Sequence, residues 1–199
     1  LKILSEIGLG KDEYEVGIRF TKEFCENNRK LIASIAKIFG KPMLVEMWNE
    51  RFFYFVLKWD INYLDNQDKA AALSTDQLDV ENAERYGIYY VDDKGEKKLP
   101  LILHCSPSGA IERVVYALLE RAYKAQRNHK VPILPVWLSP AQVRLIPVSS
   151  SYLKSVEEYA EALEGCRIRV DIDDRSMTLQ KKVRDAEMEW VPYVIVVGQ

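Results

Sequence analysis

From Glu15 to Phe20 apolar and polar residues alternate with the period of a half-buried strand. Thr21 then offers a helix cap, and Phe24, Leu31, Ile32, Ile35 and Phe39 recur at the spacing of one helical face. Gly40 and Pro42 supply the stop. Met43 to Trp48 predicts a second strand. Phe52 to Tyr63 predicts a longer aromatic-rich strand, although its alternation is imperfect. Asp65 to Lys69 is polar and turn-like, Ala70 to Val80 reads as another strand, and Glu81 to Tyr86 as a brief helical turn. Tyr89 to Val91 and Leu99 to His104 are expected to pair around Asp92-Asp93-Lys94-Gly95. Pro107, Ser108 and Gly109 break that pattern, and a helix follows with Ile111, Val114, Val115, Leu118 and Ala122 on one side.

Asn128 to Val131 is polar and is followed by Pro132 and Pro135, which marks a linker. Beyond it the order becomes βαβαβ: a strand over Gln142 to Val148, a helix over Tyr152 to Leu163, a strand over Arg167 to Ile172, a helix over Thr178 to Met188, and a strand over Tyr193 to Val197. The expected fold is therefore an α+β part over residues 1–130, mainly antiparallel sheet with helices, followed by a small α/β domain over residues 131–199. No internal repeat or low-complexity tract interrupts either part.

Composition narrows the chemistry. The chain has 199 residues, of which 48% are hydrophobic and 29% charged, enough for one domain of usual size and a small one. With a net charge of −2 there is no global basic field, so any RNA contact must come from local patches. No apolar run approaches the roughly 20 residues that span a bilayer, so no membrane partner is expected. Cys25, Cys105 and Cys166 are odd in number and form no CxxC pair, which points to a reducing cytoplasm rather than a disulfide framework.

The densest functional candidate is Leu101-Ile-Leu-His-Cys-Ser-Pro-Ser-Gly-Ala-Ile-Glu-Arg113. A buried apolar strand is expected to deliver His104 at its end, with Glu112 and Arg113 opening the next helix. Polar side chains at a strand end tend to line a site, and a helix N-terminus attracts anions. Arg113 adds a guanidinium able to pair phosphate or stack on a base. From the residues alone, His104 reads first as a hydrogen-bonded core histidine, and Glu112 with Arg113 as a solvated first turn.

This segment resembles motif 3 of the class II aminoacyl-tRNA synthetases, a strand followed by a glycine and an Ile-Glu-Arg helix start. In that family the arginine packs on the adenine of ATP, a role that falls on Arg113. A histidine five residues before the glycine is similar to the threonyl enzymes of the archaeal kind, where it is one of three zinc ligands; here it is His104. Ala70-Ala-Ala-Leu-Ser-Thr-Asp-Gln-Leu-Asp79 resembles the preceding strand of those enzymes, with Gln77 near the bound threonine. Phe52-Phe-Tyr-Phe55 resembles the strand bearing a substrate-side tyrosine, mapped onto Tyr54 with a one-residue shift. The alternatives are an outward-facing strand residue for Gln77 and a plain core aromatic for Tyr54. Ala72 stands where bacterial relatives supply a glutamine to ATP, and Ala110 where they commonly have serine. The resemblance implies ATP, Mg2+ and Zn2+ as cofactors. Zinc suits the task because an apolar pocket separates threonine from valine poorly, whereas an open metal position can take the hydroxyl.

Pro135-Val-Trp-Leu-Ser-Pro-Ala-Gln-Val143 resembles the entry to the class IIa anticodon-binding domain, and Arg167 to Gln199 continues it. Arg175 and Arg184 fall on basic positions that approach tRNA in the family, and Lys181 lies on the same side of its helix as Arg184, although each also reads as an ordinary solvated residue. The resemblance implies activation of threonine, transfer to tRNA(Thr) and a homodimer. Motifs 1 and 2 and two further zinc ligands are not found, and neither Cys25 in its helix nor His129 in the linker replaces them. The chain is accordingly expected to be a fragment, inactive alone. A non-catalytic, synthetase-like RNA-binding or accessory protein is the alternative; retention of both His104 and Arg113 weighs against it.

Overall fold

The computed structural model describes residues 1–198. The elements run α1 (Lys2–Glu6), β1 (Tyr14–Thr21), α2 (Lys22–Asn27), α3 (Arg29–Phe39), β2 (Met43–Trp48), β3 (Phe55–Leu64), β4 (Ala70–Asp79), α4 (Asn82–Arg85), β5 (Tyr90–Val91), β6 (Lys97–Lys98), β7 (Ile102–Ser106) and α5 (Ile111–Arg127). After these come β8 (Val143–Pro147), α6 (Leu153–Gly165), β9 (Val170–Ile172), α7 (Leu179–Met188) and β10 (Tyr193–Val197). The chain divides into two compact units, Leu1–Ala117 and the residues from Leu118 onward. That division falls within α5 and not at the polar stretch after it.

In the first unit five strands lie in the order β2-β1-β3-β4-β7. Only β1 and β2 are parallel, and the remaining pairs are antiparallel. Period-2 alternation gives this sheet two unlike faces. One face carries Tyr14, Val16, Ile18 and Phe20 of β1 with Leu57, Ile61 and Tyr63 of β3; α3 closes it with Ile35 and Phe39, and α5 with Ala117. Burying each of these larger apolar side chains is worth about 1.5–3 kcal/mol. The register puts Lys58 beside Gln77, Asp60 beside Thr75, and Gln77 beside His104 on the opposite face.

Several sequence expectations shift in the structure. The helix after β1 is two helices, with Asn28 between them. Thr21 does cap the first, its Oγ1 accepting from the Phe24 N–H at 3.2 Å, but Leu31 is exposed. Phe52 and Phe53 are exposed and precede β3. The expected pairing of Tyr89–Val91 with Leu99–His104 does not form. Asp92 accepts from the Lys94 and Glu96 N–H groups, which closes a tight turn and pairs β5 with Lys97–Lys98. Pro100 has no N–H to extend that ladder, and β7 pairs with β4 instead. Nor is β7 a buried strand. It lies last in the sheet order, Leu103 is 61% exposed, and His104 sits mid-strand and not at the end. On α5, Ile111 and Val115 are exposed while Ala117, Leu118 and Ala122 are buried.

In the second unit the parallel strands run β10-β8-β9. The central strand β8 is buried along its length. Val143 and Leu145 pack with Val156 and Ala160 of α6. Arg144, also on β8, donates to Asp171 at 2.8 Å and Glu189 at 2.6 Å, which makes its burial tolerable. Arg169 donates to the carbonyls of Trp137 and Ser139, tying down the segment that enters β8.

One glycine is required sterically. Gly109 has φ +67°, and a Cβ built on it would lie 1.9 Å from the Leu73 carbonyl oxygen on β4. Gly87 has φ +64° with nothing within 4 Å of such a Cβ. Gly87→Ala should therefore cost only the left-handed strain, roughly 1 kcal/mol. Gly109→Ala must also move backbone and should cost at least about 2 kcal/mol more. Equal urea midpoints for the two variants would contradict this ranking.

Candidate functional site

On the uncovered face of the five-stranded sheet, Tyr54, Thr75, Gln77, Leu103, His104, Cys105 and Ser106 line a cleft of about 420 Å³. The β4–β7 register sets Gln77 directly opposite His104. Tyr54 comes from the segment entering β3, and its hydroxyl donates to the Gln77 side-chain oxygen. The Tyr54 and His104 rings meet edge-on, with centroids 5.6 Å apart and planes at 72°. Three of the residues expected from sequence are thus brought together. His104 is not a core histidine, and Tyr54 is only partly buried.

Asp79 is the residue that sequence reasoning passed over. It is 1% exposed at the end of β4. One carboxylate oxygen accepts from the Glu81 N–H at 2.8 Å and the Asn82 N–H at 2.9 Å. The other accepts from Asn82 Nδ2 at 2.7 Å and lies 2.8 Å from His104 Nε2. Burial alone would raise its pKa, but the Asn82 N–H, His104, the Glu81 N–H and the Asn82 amide outweigh burial and hold it well below the usual carboxylate range. The available signal was an aspartate directly ahead of a short helical turn, Asp79-Val-Glu-Asn82, where such a side chain caps backbone N–H groups.

Arg113 is not among the residues lining this cleft. It lies in the first turn of α5, where Nη1 donates to the Ala72 carbonyl at 3.0 Å. A bulge positions that carbonyl. Ile61 pairs with Ser74 and Asn62 with Ala72, which leaves Leu73 as the extra residue of β4. Gly109 approaches the Leu73 carbonyl from the same loop that starts α5. Among the described residues, no group of three or more His, Cys, Asp or Glu is placed to hold a metal ion. Also among them, no helix is long and apolar enough to cross a membrane.

In the second unit the three basic residues expected to approach RNA differ in their commitments. Arg175 donates to both carboxylate oxygens of Asp173, at 2.8 and 2.6 Å, and to Asp185 at 3.1 Å. Lys181 Nζ donates to Asp185 at 2.5 Å. Arg184 is exposed on α7, and its side chain makes no hydrogen bond or ion pair among the described residues. Lys182 is 5% exposed and donates to the Asp173 carbonyl at 3.0 Å. Arg175, Thr178 and Lys182 line part of a second cleft of about 660 Å³ with Ser149 and Ser150.

Residues 142–199 match the family model described as the anticodon binding domain. Over 198 residues the chain is 59% identical to the threonine–tRNA ligase of Pyrococcus horikoshii, covering 100% of the chain and 32% of that protein. The corresponding ligase of Thermococcus gammatolerans is 59% identical over 199 residues, and that of Methanosarcina acetivorans 55% over 198. By sequence, the chain is similar to one part of the threonine–tRNA ligases. It spans about a third of their length, 32% of the first two. Among solved structures, the RNA binding domain of threonyl-tRNA synthetase from Cryptosporidium parvum superposes with TM-score 0.77 at 21% identity, covering 100% of this chain and 48% of that one. Giardia lamblia prolyl-tRNA synthetase in complex with prolyl-adenylate gives TM-score 0.59 at 19% identity, covering 74% of this chain and 31% of that one. These two likenesses are of fold, and they agree with the expected α+β part followed by a small α/β domain.

The Asp173–Arg175 pair yields a pH test. The Arg175 bonds hold the Asp173 carboxyl below its ordinary range against the opposing effect of burial. A carboxylate with a depressed native pKa stabilises the fold above its unfolded pKa, and that contribution is lost as pH falls through the native value. Arg175→Ala should therefore raise the Asp173 pKa and lower stability most at neutral pH, with the difference closing in strong acid. Urea unfolding at pH 7 and at pH 2 checks this; the same loss at both would contradict it.

Proposed function

We propose that the chain supplies the amino-acid-binding face and the anticodon-binding domain of a threonine–tRNA ligase. The observation that carries this reading is the convergence of Tyr54, Gln77 and His104 on one cleft of a polar sheet face. In the reaction, the threonine carboxylate attacks the α-phosphorus of ATP, forming threonyl-adenylate and releasing pyrophosphate. The terminal ribose hydroxyl of tRNA(Thr) then takes the threonyl group and AMP leaves. Such catalysis rests on positioning and charge neutralisation, without a covalent protein intermediate.

Tyr54 and Gln77 bind and orient threonine. Arg113 stacks on the adenine of ATP, held at a fixed height by the Ala72 carbonyl and by the tight Gly109 turn. Mg2+ accompanies the nucleotide phosphates. His104 fits as one ligand of a zinc site: its Nε2 contacts a buried carboxylate, and its other ring nitrogen has no partner among the described residues. The remaining ligands come from other parts of the protein. A zinc ion held there would supply open coordination positions at which a hydroxyl-bearing side chain is favoured over that of valine.

Residues 1–130 form the catalytic part and residues 131–199 the tRNA-binding part, in a homodimer working in the cytoplasm. Arg184 carries the direct phosphate contact, while Arg175 and Lys181 shape its surroundings through Asp173 and Asp185.

ATP–pyrophosphate exchange by the full-length protein tests this reading, with threonine, serine, valine, proline and histidine compared and zinc assayed in the same preparation. Threonine-dependent exchange, weaker exchange with serine and one bound zinc are expected. No exchange from folded, zinc-free protein would favour an accessory protein that binds RNA without catalysis. His104→Ala should lose zinc and threonine activation together. Arg113→Ala should weaken ATP use with zinc retained. Arg184→Ala should weaken tRNA use and leave adenylate formation intact; a matching loss of adenylation would remove it from the RNA surface.

A further inference from the structure

We infer that Asp79 is the positioning residue for His104: its buried carboxylate holds Nε2–H and leaves Nδ1 as the metal-binding nitrogen. This rests on the reading of His104 as a zinc ligand.

The Asp79 carboxylate accepts from three other N–H donors, which places the imidazole nitrogen 2.8 Å from it as a fourth donor. A neutral imidazole held in this way has its lone pair on Nδ1. The carboxylate cannot easily swing to follow the ring. Its other oxygen is pinned by the Glu81 and Asn82 N–H groups, and Asn82 Nδ2 braces the oxygen that meets the imidazole. Tyr54 limits the ring from the side. The ring itself belongs to the last strand of the sheet order, where 46% of its side chain is exposed while that of Asp79 is fully covered. This is the division of labour that metal-binding histidines use: a covered acceptor orients the ring and raises its basicity while the second nitrogen is left for the ion.

The competing account makes Asp79 a cap for the turn at Glu81 and Asn82, with His104 merely nearby. Two variants separate these. Asp79→Asn keeps a carbonyl oxygen for the two backbone N–H groups but turns an NH2 towards His104. Nε2 must then accept, and the proton moves to Nδ1, where it blocks the metal. Asn82→Ala loosens the turn and removes a bond to the same oxygen, yet leaves the carboxylate facing the imidazole.

In the full-length protein, Asp79→Asn should lower zinc affinity about 10- to 100-fold by chelator competition, and Asn82→Ala should leave it unchanged. In zinc-free, 15N-histidine-labelled wild type, long-range 1H–15N correlation should give the Nε2–H tautomer for His104, assigned with His104→Gln. That measurement stands even if Asp79→Asn does not fold. An Nδ1–H tautomer in the wild type would overturn the inference, as would wild-type zinc affinity in Asp79→Asn when His104→Ala has lost the metal. Equal losses in Asp79→Asn and Asn82→Ala would reduce Asp79 to a turn cap and overturn it too. Zinc retained by His104→Ala would instead overturn the ligand reading itself, and the tautomer would still judge the Asp79–His104 contact.

Discussion

The carboxylate of Asp79 is where a strand end, a helical turn and an imidazole are joined. A buried ionised group persists only if its hydrogen-bonding capacity is filled, and leaving its donors unpaired would cost about 1–3 kcal/mol per group. Here two backbone N–H groups, an amide and a histidine fill it. The consequence is mutual. The turn at α4 forms because the carboxylate caps it, and the carboxylate stays ionised because the turn solvates it. His104 inherits the rigidity of both. Since β7 borders β4 at the end of the sheet order, this contact also fixes a strand that burial alone would hold weakly.

The location of the cleft follows from the two-faced sheet. One face is used up by α3, α5 and the apolar side chains of β1 and β3. The other holds Lys58, Asp60, Thr75, Gln77 and His104 in register and carries the cleft. Two irregularities refine this plan. Val56 is an extra residue between the paired positions Phe55 and Leu57, just after Tyr54. The Leu73 bulge lifts two successive carbonyls, one taken by Arg113 and the other approached by Gly109. Bulges bend and re-aim a strand locally, which regular pairing cannot do.

In the second unit charge is handled differently. The chain carries no net positive field, and much of the basic character near α7 is spent inside the unit on Asp173 and Asp185. That leaves the Arg184 guanidinium without a partner among the described residues, on a surface whose neighbours are held in place by ion pairs. Exposed charges beyond a Debye length are screened, so on such a surface the fixed geometry of the neighbouring ion pairs matters more than total charge.

The division into α+β and α/β parts, most strand positions, the Thr21 cap and the gathering of Tyr54, Gln77 and His104 were legible in the sequence, by periodicity for the elements and by motif for the site. These depend on local spacing, which the sequence carries directly. Other features were decided only by tertiary structure. The hairpin partner of β5 changed because the Asp92 turn closes sooner than a loop count suggests, and Pro100 then denies the ladder a donor. Exposure of β7 depended on its place in the strand order, which no alternation reveals. The importance of Asp79 came from His104, twenty-five residues away, added to a local cap of the Glu81 and Asn82 N–H groups. The reach of Arg175 to Asp185, ten residues on, likewise required the fold, whereas Lys181 and Asp185 are one helical turn apart. Spacing along a chain determines which residues share a face; which faces meet, and which charges are thereby neutralised, is set by packing in three dimensions.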